Sequence, residues 1–352
     1  MTDGAPGAIV LAELTPVVFS TSGLPTARRV ELWESHNAAA LIGLAVRAPD
    51  SLDAAELNVQ LPRARLARVT GSAHSVERTR DLILRCPADS VVVFLTLRGE
   101  ARFTADGVAL ERRRGDALAW ETDRPFARTF ARGLEELVVT IPWAELIARS
   151  ESPRLMADPV VTSFGAPTAS GPARSTGSAR SAARGRPDPY ARALARIAGR
   201  ATRAERPLRP DERTVLDLVA AIAAGPRAAH AAAHRAAARS YIEEHLTNPG
   251  LCAAEIAAAA GISERQLSRL FAADGRSVPA HILGRRLELA RSILSAPRAP
   301  TVAEVAARCG FTSAAYFSHA FRHHFGHRAG DLRRETVRSK QSGTAQPGDI
   351  AF

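Results

Sequence analysis

The sequence has little lysine, little cysteine and no long apolar run, and these shortages exclude several classes of protein. Lys340 is the only lysine among 352 residues, so arginine carries almost all of the basic charge. Cys86, Cys252 and Cys309 lie far apart in apolar contexts without metal-ligand spacing, which indicates reduced, buried thiols rather than a disulfide framework. No apolar run reaches membrane-spanning length, and the N-terminus lacks the basic start of a signal peptide. We therefore expect a soluble, cytoplasmic protein.

Acidic residues are scarce in the middle of the chain and outnumbered in its C-terminal part. The net charge is +11, and 352 residues are enough for two domains with a core each. Residues 1–163 carry 19 arginines against 21 acidic residues, whereas residues 164–210 carry 10 against 2 and residues 240–338 carry 13 against 9. This distribution favours contact with a polyanion outside the N-terminal part.

Residues 251–334 contain one helical unit written twice. Ala257 and Gly261 of the first copy recur as Ala306 and Gly310 of the second. The small alanine allows the next helix to cross closely, and the glycine can take the positive φ that a short turn between helices requires. Each copy is therefore predicted to be a helix, a tight turn and a second helix.

The second helix of each copy has a start signal and an exposed polar face. Ser263 is the predicted N-cap in the first copy, and Thr312 or Ser313 in the second. A short helix with an exposed basic face after such a turn is typical of the reading helix of a helix-turn-helix. The alternative is an ordinary helical bundle with solvated outer faces. It is the weaker interpretation because the unit occurs twice and a helix over residues 278–294 holds the two copies apart.

Residues 240–334 resemble the DNA-binding domain of the AraC/XylS family of transcription regulators. The second copy carries the family signature Ala306-x3-Gly310-Phe311-x-Ser313-x2-Tyr316-Phe317-Ser318-x2-Phe321-Arg322-x3-Gly326. The connecting segment Arg285-Arg286-Leu287-Glu288-Leu289-Ala290-Arg291-x2-Leu294 also fits. Arg328-Ala329 stands where the family has Thr/Ser-Pro, which leaves the cap of the last short helix open.

The helix-turn-helix interpretation and the resemblance together predict the DNA contacts. The predicted base-reading residues are Arg265, Ser268 and Arg269 in the first copy and Ala315, Ser318 and His319 in the second. The predicted phosphate contacts are Arg285, Arg286, Arg322 and His323.

The sequence pattern of the N-terminal part predicts short strands with turns between them. The pattern predicts a helix over 28–46, strands over 57–69, 78–84, 90–97, 101–104, 108–110, 117–121, 126–130 and 134–141, and a helix over 142–149. Gly99 is expected to end the strand over 90–97, and residues 105–107 form a predicted hairpin turn. The expected fold is α+β: an antiparallel barrel or jelly roll with flanking helices, followed by an all-α domain.

Residues 19–146 resemble the cupin-like sensing domain of one branch of the same family. The features that carry this resemblance are Phe19-Ser20-Thr21, Leu32-Trp33-Glu34, Gly99, Asp106-Gly107, Gly115-Asp116, Asp123-Arg124-Pro125 and the segment 137–142. The resemblance implies that this domain binds a small-molecule effector or a partner. Arginines along 98–114 are either part of an acidic-ligand site or exposed strand residues.

Histidines that could bind a metal are few or poorly partnered. The predicted barrel has only His36 and His74 and no His-x-His pair, so we expect no metal and no cofactor. His319, His323 and His327 are spaced four residues apart, but without acidic or cysteine partners they suit hydrogen bonding to DNA better than metal binding.

The remaining segments complete the predicted organisation. Residues 1–163 form the sensing domain, 164–188 a flexible basic linker, 189–226 a helical connector, 227–338 the DNA-binding domain and 339–352 a tail. In the family the connector often makes a dimer contact, but packing on its own barrel explains its amphipathic helices equally well.

The expected function is sequence-specific transcription regulation, and the resemblance favours activation over repression. The implied partners are double-stranded DNA, RNA polymerase, a small-molecule effector and a second copy of the chain as a homodimer. The protein is not expected to be an enzyme. The alternatives are a metal-independent cupin-like enzyme and a protein-interaction module, each carrying a helical domain.

Overall fold

The chain folds into two compact units that divide between Ala236 and Ala237. The computed structural model describes residues 16–49, 51–149, 158–165, 175–176, 180–181, 187–203, 209–224, 231–296 and 299–332. No helix in these ranges is long and apolar enough to cross a lipid bilayer. The predicted domain ranges place the boundary at 227 and remain predictions.

Unit 1 is built on a curled antiparallel sheet. Its strands are Val17–Ser20 (β1), Ala45–Arg47 (β2), Ala54–Gln60 (β3), Arg65–Gly71 (β4), His74–Arg78 (β5), Ser90–Ala105 (β6), Val108–Arg113 (β7), Asp116–Glu121 (β8), Phe126–Phe130 (β9), Leu134–Pro142 (β10), Val160–Ser163 (β11), Ser175–Thr176 (β12) and Arg180–Ser181 (β13). In one part of the sheet the strand order is β1-β3-β4-β10-β6-β8-β11-β13, and the other part joins β2, β5, β9, β6, β7 and β12. The expected antiparallel barrel or jelly roll is confirmed as a half-barrel.

The long strand β6 belongs to both parts of the sheet, and the prediction that Gly99 ends it is wrong. Residues before Gly99 pair with β10 and β8, and residues after it pair with β7 and β9. Gly99 has φ +87°, and a Cβ there would lie 2.4 Å from the Gly133 carbonyl oxygen. Glycine therefore allows a bend within a continuous strand. The predicted hairpin turn is confirmed, with positive φ at Asp106 and Gly107.

Three other predictions in unit 1 were wrong because local signals compete. The single strand expected over 57–69 is two antiparallel strands, β3 and β4, separated by a turn over residues 61–64. The helix expected over 28–46 is Arg29–Ala40 (α1), and its last predicted residues form β2. The strand expected over 78–84 is a short helix, Arg80–Arg85 (α2). The Thr79 side chain accepts a hydrogen bond from the Leu82 N–H, which starts the helix directly after β5.

Two of the three cysteines are exposed, which corrects the expectation of buried thiols. Cys86 follows α2 as its C-cap, and Cys252 is the N-cap of Ala253–Ala260. Both are exposed because residues at helix ends face solvent, whereas Cys309 is buried.

The helices of the predicted connector pack on the half-barrel of their own unit. Pro189–Ala201 (α4) and Glu212–Ala224 (α5) lie against its strands, as does Trp143–Ile147 (α3), which belongs to the predicted sensing domain. The large apolar side chains of α5 are all buried: Val215, Leu216, Leu218, Val219 and Ile222. Of the two explanations left open by the sequence, packing on the barrel accounts for these helices. Within 164–188, β12 pairs with β7 and β13 with β11, and 166–174, 177–179 and 182–186 lie outside the described residues.

Unit 2 is helical. Its first helix, Ala231–His245 (α6), begins in unit 1 and continues into unit 2. The helices that follow are Ala253–Ala260 (α7), Glu264–Ala272 (α8), Val278–Leu294 (α9), Val302–Arg308 (α10) and Ala314–Phe325 (α11). The predicted helix over 278–294 begins and ends where the sequence indicated. Phe317 and Phe321 of α11 pack with Leu287 and Leu294 of α9 in one core.

Candidate nucleic-acid interface

The first helix-turn-helix consists of α7, a glycine turn and α8. Gly261 has φ +72°, and the Ile262 N–H donates to the Ala257 carbonyl at 3.0 Å. Ser263 begins α8 with a capping box: its hydroxyl accepts from the Gln266 N–H, and the Gln266 side chain accepts from the Ser263 N–H. The turn is therefore set by local hydrogen bonds.

The second helix-turn-helix repeats this geometry in α10 and α11. Gly310 has φ +80°, and the Phe311 N–H donates to the Ala306 carbonyl at 3.0 Å. Ser313, and not Thr312, caps α11 by accepting from the Tyr316 N–H. A Cβ on Gly310 would also lie 2.9 Å from the Thr247 carbonyl oxygen. Glycine is thus required here for two reasons, the backbone angle and the close approach of the backbone that follows α6.

The two second helices bury equivalent stripes and expose equivalent faces. Leu267 and Phe271 of α8 are buried, as are Phe317 and Phe321 of α11. All six predicted base-reading residues are exposed: Arg265, Ser268, Arg269, Ala315, Ser318 and His319. The Ser318 hydroxyl donates to the Ala314 carbonyl at 2.9 Å, which leaves its oxygen able to accept from a base.

The four predicted phosphate contacts fall into two classes. Arg322 and His323 are exposed in the second half of α11. Arg285 and Arg286 lie half-buried on α9 and are engaged inside unit 2. The structure tests none of these four contacts, but the internal partners of Arg285 and Arg286 favour a structural role for those two.

Arg285 and Arg286 join α9 to α6, a role that the sequence did not predict. Arg285 donates to the Glu243 carboxylate at 2.6 and 3.0 Å and also pairs with Glu288. These hydrogen bonds raise the pKa of Arg285 above its usual range. Arg286 donates to the carbonyls of Leu246 and Asn248 at 2.9 and 2.6 Å, which satisfies backbone groups at the C-terminal end of α6. Only the i,i+3 spacing of Arg285 and Glu288 was visible in the sequence.

The departure from the family pattern after Gly326 is compatible with a further helical turn. Gly326 has φ +79° and ends α11. Residues 329–332 are helical again, the Asp331 N–H donates to the Arg328 carbonyl at 3.0 Å, and Ala329 is buried in the core. Ala329 therefore packs into the core at the place where the family has proline.

The interior of unit 1 holds a smaller candidate site. A cavity of about 40 Å³ is lined by apolar side chains together with Asn37, His74, Arg128 and Glu136. Arg128 donates to both oxygens of Glu136 at 2.7 and 2.6 Å, and burial lowers the pKa of His74. Among the residues that the structure describes, no group of three or more His, Cys, Asp or Glu is placed to hold a metal ion.

The arginines along 98–114 lie mostly at the surface. Arg98, Arg102 and Arg113 are exposed and lie within 4 Å of Glu135, Glu111 and Glu100 respectively. Arg112 is buried. Of the two explanations left open by the sequence, exposed strand arginines in surface ion pairs fit this arrangement.

Comparison with known proteins assigns both units. An AraC-binding-like domain model matches residues 33–252, which is more than half of the chain. A helix-turn-helix domain model matches residues 256–335. The chain belongs to the AraC/XylS family of transcription regulators. Unit 2 of this AraC-family chain is its helix-turn-helix domain, and unit 1 corresponds to the AraC-binding-like domain.

The curated relatives match only part of this AraC-family chain and only part of their own length. The transcriptional activator RhrA of Rhizobium meliloti (strain 1021) is 34% identical over 100 residues, 28% of this chain and 32% of RhrA. NphR of Rhodococcus sp is 38% identical over 97 residues, 28% of this chain and 29% of NphR. The matched stretch thus spans about a third of each relative. The crystal structure of the AraC-like transcriptional activator CuxR matches at 21% identity with a TM-score of 0.42, over 78% of this chain and 94% of CuxR.

Proposed function

We propose that this protein is a sequence-specific, DNA-binding transcription regulator whose helices α8 and α11 enter two successive major grooves. The observation that carries this proposal is the duplication: two capped turns present two helices with equivalent buried stripes and with the predicted base-reading residues on their exposed faces. The 17-residue helix α9 is about 25 Å long at 1.5 Å per residue. It lies between the two motifs and contacts helices of both, as binding to adjacent turns of B-DNA requires.

The two reading helices are expected to recognise DNA with different strength. Arg265 and Arg269 can each make a bidentate pair with guanine, worth ~1–3 kcal/mol of discrimination. In α11, Ser318 and His319 offer single hydrogen bonds, and Ala315 offers apolar contact to a thymine methyl group. The half-site under α11 is therefore read more weakly and partly through DNA shape.

Unit 1 is proposed to be the sensing domain that controls DNA binding. Residues 1–163 would bind a small molecule or a partner and shift the population that is competent to bind DNA. Activation, through contact with RNA polymerase, is proposed because RhrA and NphR are named transcriptional activators. A cytoplasmic location, a homodimer and the absence of enzymatic activity are proposed on the same family basis.

The test is selection from a random-sequence DNA pool with the full-length protein at two salt concentrations, followed by sequencing. We expect a bipartite motif with half-site centres about ten base pairs apart. The double variant Arg265→Ala/Arg269→Ala should lose the half-site read by α8 and keep the other.

The matched control is Arg80→Ala/Arg132→Ala, which removes the same charge from exposed positions of unit 1. It should recover the wild-type motif. Binding that falls with salt but enriches no motif would mean that the tandem helices are a scaffold with non-specific affinity, and the proposed function would then be rejected.

A further inference from the structure

A carboxylate without a hydrogen-bond partner lies buried in unit 1, on the face of β3 near α1. The Glu56 side chain is fully buried, and neither of its oxygens has a partner among the described residues. Asn58, the next inward residue of β3, also leaves its side-chain oxygen without one. Because buried polar groups in folded proteins are nearly always hydrogen-bonded, three such acceptors in one place require a donor whenever the carboxyl is ionised.

His36 of α1 does not supply that donor. Its Nε2 atom is 3.0 Å from Asn58 Nδ2 and 3.8 Å from Glu56 Oε1. Burial lowers the pKa of His36, so the neutral ring accepts the hydrogen bond that the Asn58 amide donates. The 3.8 Å separation is too long for a hydrogen bond to the carboxylate.

A second buried carboxylate of the same unit shows the usual solution. Glu136 receives two hydrogen bonds from Arg128, whose guanidinium carbon lies 3.7 Å from the centre of the Phe94 ring. The fold therefore provides Glu136 with a cation held over an aromatic ring. Glu56 has aromatic neighbours, but no arginine or lysine of the described chain pairs with its carboxylate.

Aromatic side chains lie beside Glu56, and Trp33 connects them to a cavity that Glu56 itself does not line. Phe19, which is paired with Glu56 between β1 and β3, stacks on His36 with ring centres 4.3 Å apart. The Trp33 ring centre lies 6.0 Å from that of Phe19. Trp33 and Val69, the residue of β4 paired with Glu56, line the cavity of about 40 Å³. A cavity of roughly 10–15 Å³ holds one water molecule, so this cavity has room for a few heavy atoms.

We propose that Glu56, Asn58, His36, Phe19 and Trp33 form a binding site for a small ligand that carries a protonated primary amine. A primary ammonium group has three N–H donors and no acceptor, which matches the three acceptor atoms. Aromatic faces attract a cation, and the cavity takes a short apolar tail. An anionic ligand would be repelled by Glu56. The proposal adds a ligand class to the sensing role proposed for unit 1. Amine binding itself does not depend on that role, whereas an effect of the amine on DNA binding does.

The carboxyl group gives the site a measurable signature. Burial raises the pKa of Glu56 to about 7, and the nearby Asn58 amide offsets this only in part. An ammonium group beside the carboxylate favours its charged form. Amine binding at pH 6 should therefore release close to one proton, and binding at pH 8.5 should release almost none.

The experiment is titration calorimetry on the full-length protein with ethylamine and n-propylamine, in two buffers of different ionisation enthalpy at each pH. We expect one-to-one binding of the amines, with the proton release described above, and no binding of ethanol, n-propanol, acetate or propionate. Glu56→Gln, which keeps the shape and removes the charge, should weaken amine binding at least about tenfold. Glu77→Gln, an exposed residue of β5 in the same unit, is the matched control and should bind as the wild type does.

Absence of amine binding to the wild-type protein, equal binding of the alcohols, or unchanged affinity in Glu56→Gln would each overturn the proposal. The proton release is measured in the wild type, so the test does not depend on how a variant folds. No DNA is present in these titrations. A negative result here and a negative result in the DNA selection are therefore separate outcomes.

Discussion

At the scale of single residues, the most informative positions are those where tertiary packing determines which side chain fits. Gly99 lets β6 change sheets, and Gly310 lets the second turn approach the end of α6. Glu56 is the opposite case, a charge-bearing group placed where the fold provides no partner. Such groups persist in proteins mainly where they bind or react.

Gly310→Ala should destabilise the protein more than Gly275→Ala. Both glycines have positive φ, which costs an alanine ~1–2 kcal/mol. A Cβ at Gly275 meets nothing within 4 Å, whereas at Gly310 it meets backbone carbonyl oxygens at 2.9 and 3.1 Å. Because backbone atoms cannot move aside cheaply, we expect a total cost of roughly 2–4 kcal/mol at Gly310. Urea unfolding of both variants measures this, and equal costs would show that the close approach is relaxed.

Glu56→Gln should stabilise the amine-free protein at high pH. The carboxyl has its ordinary pKa of 4.5 when unfolded and a pKa of about 7 when folded. The folded state therefore binds more protons between these values, and stability falls as pH rises from 4.5 to 7. The loss is on the order of 3 kcal/mol at ~1.4 kcal/mol per pKa unit.

Unfolding free energies of wild type and variant, measured from pH 4.5 to 8.5, should thus diverge with rising pH and then run parallel. Glu77→Gln should give no such divergence because its side chain is exposed. A constant difference for Glu56→Gln would show that its carboxyl titrates normally.

At the scale of elements, helix boundaries in unit 2 follow local rules, and the contacts of α9 do not. Capping by Ser263, Thr301 and Ser313 sets the starts of α8, α10 and α11 within a few residues of sequence. The joint between α9 and α6 depends on Glu243, more than forty positions away from Arg285 in the chain. A basic residue on a helix can therefore serve the fold while resembling a DNA contact.

Salt dependence of DNA binding should separate these two roles. Each lost phosphate contact lowers the slope of log K against log salt by about one. We expect this change for Arg322→Ala, whose side chain is exposed on α11, and no change for Arg285→Ala, whose guanidinium is held by Glu243 and Glu288. Arg285→Ala should instead lower the Tm. A lower slope for Arg285→Ala would show that it leaves its carboxylate partners for phosphate.

At the scale of the whole molecule, both reading helices belong to one compact unit with α9 between them. Their separation is therefore a property of packing, because α8, α10 and α11 each contact α9. Two motifs joined only by a flexible linker would tolerate half-sites moved apart by a full helical turn of DNA.

Inserting base pairs between the half-sites should test this rigidity. With the selected operator, insertions of five and of ten base pairs should both weaken binding to the level of a single half-site. The loss corresponds to the base contacts of the missing half, at ~1–3 kcal/mol each. Competition binding at fixed salt measures it. Recovery of affinity at ten base pairs would show that α9 does not fix the spacing.

The sequence by itself determined the parts of this protein that obey short-range rules. The tandem turns, the span of α9 and the two-residue hairpin at Asp106 and Gly107 follow from glycine, capping residues and periodicity, because these act within a few residues. Tertiary structure alone decided the course of β6 through Gly99, the engagement of Arg285 and Arg286, the burial of α5 and the isolation of Glu56. These depend on which distant segments meet, and burial and hydrogen-bond satisfaction are decided only when those segments pack together.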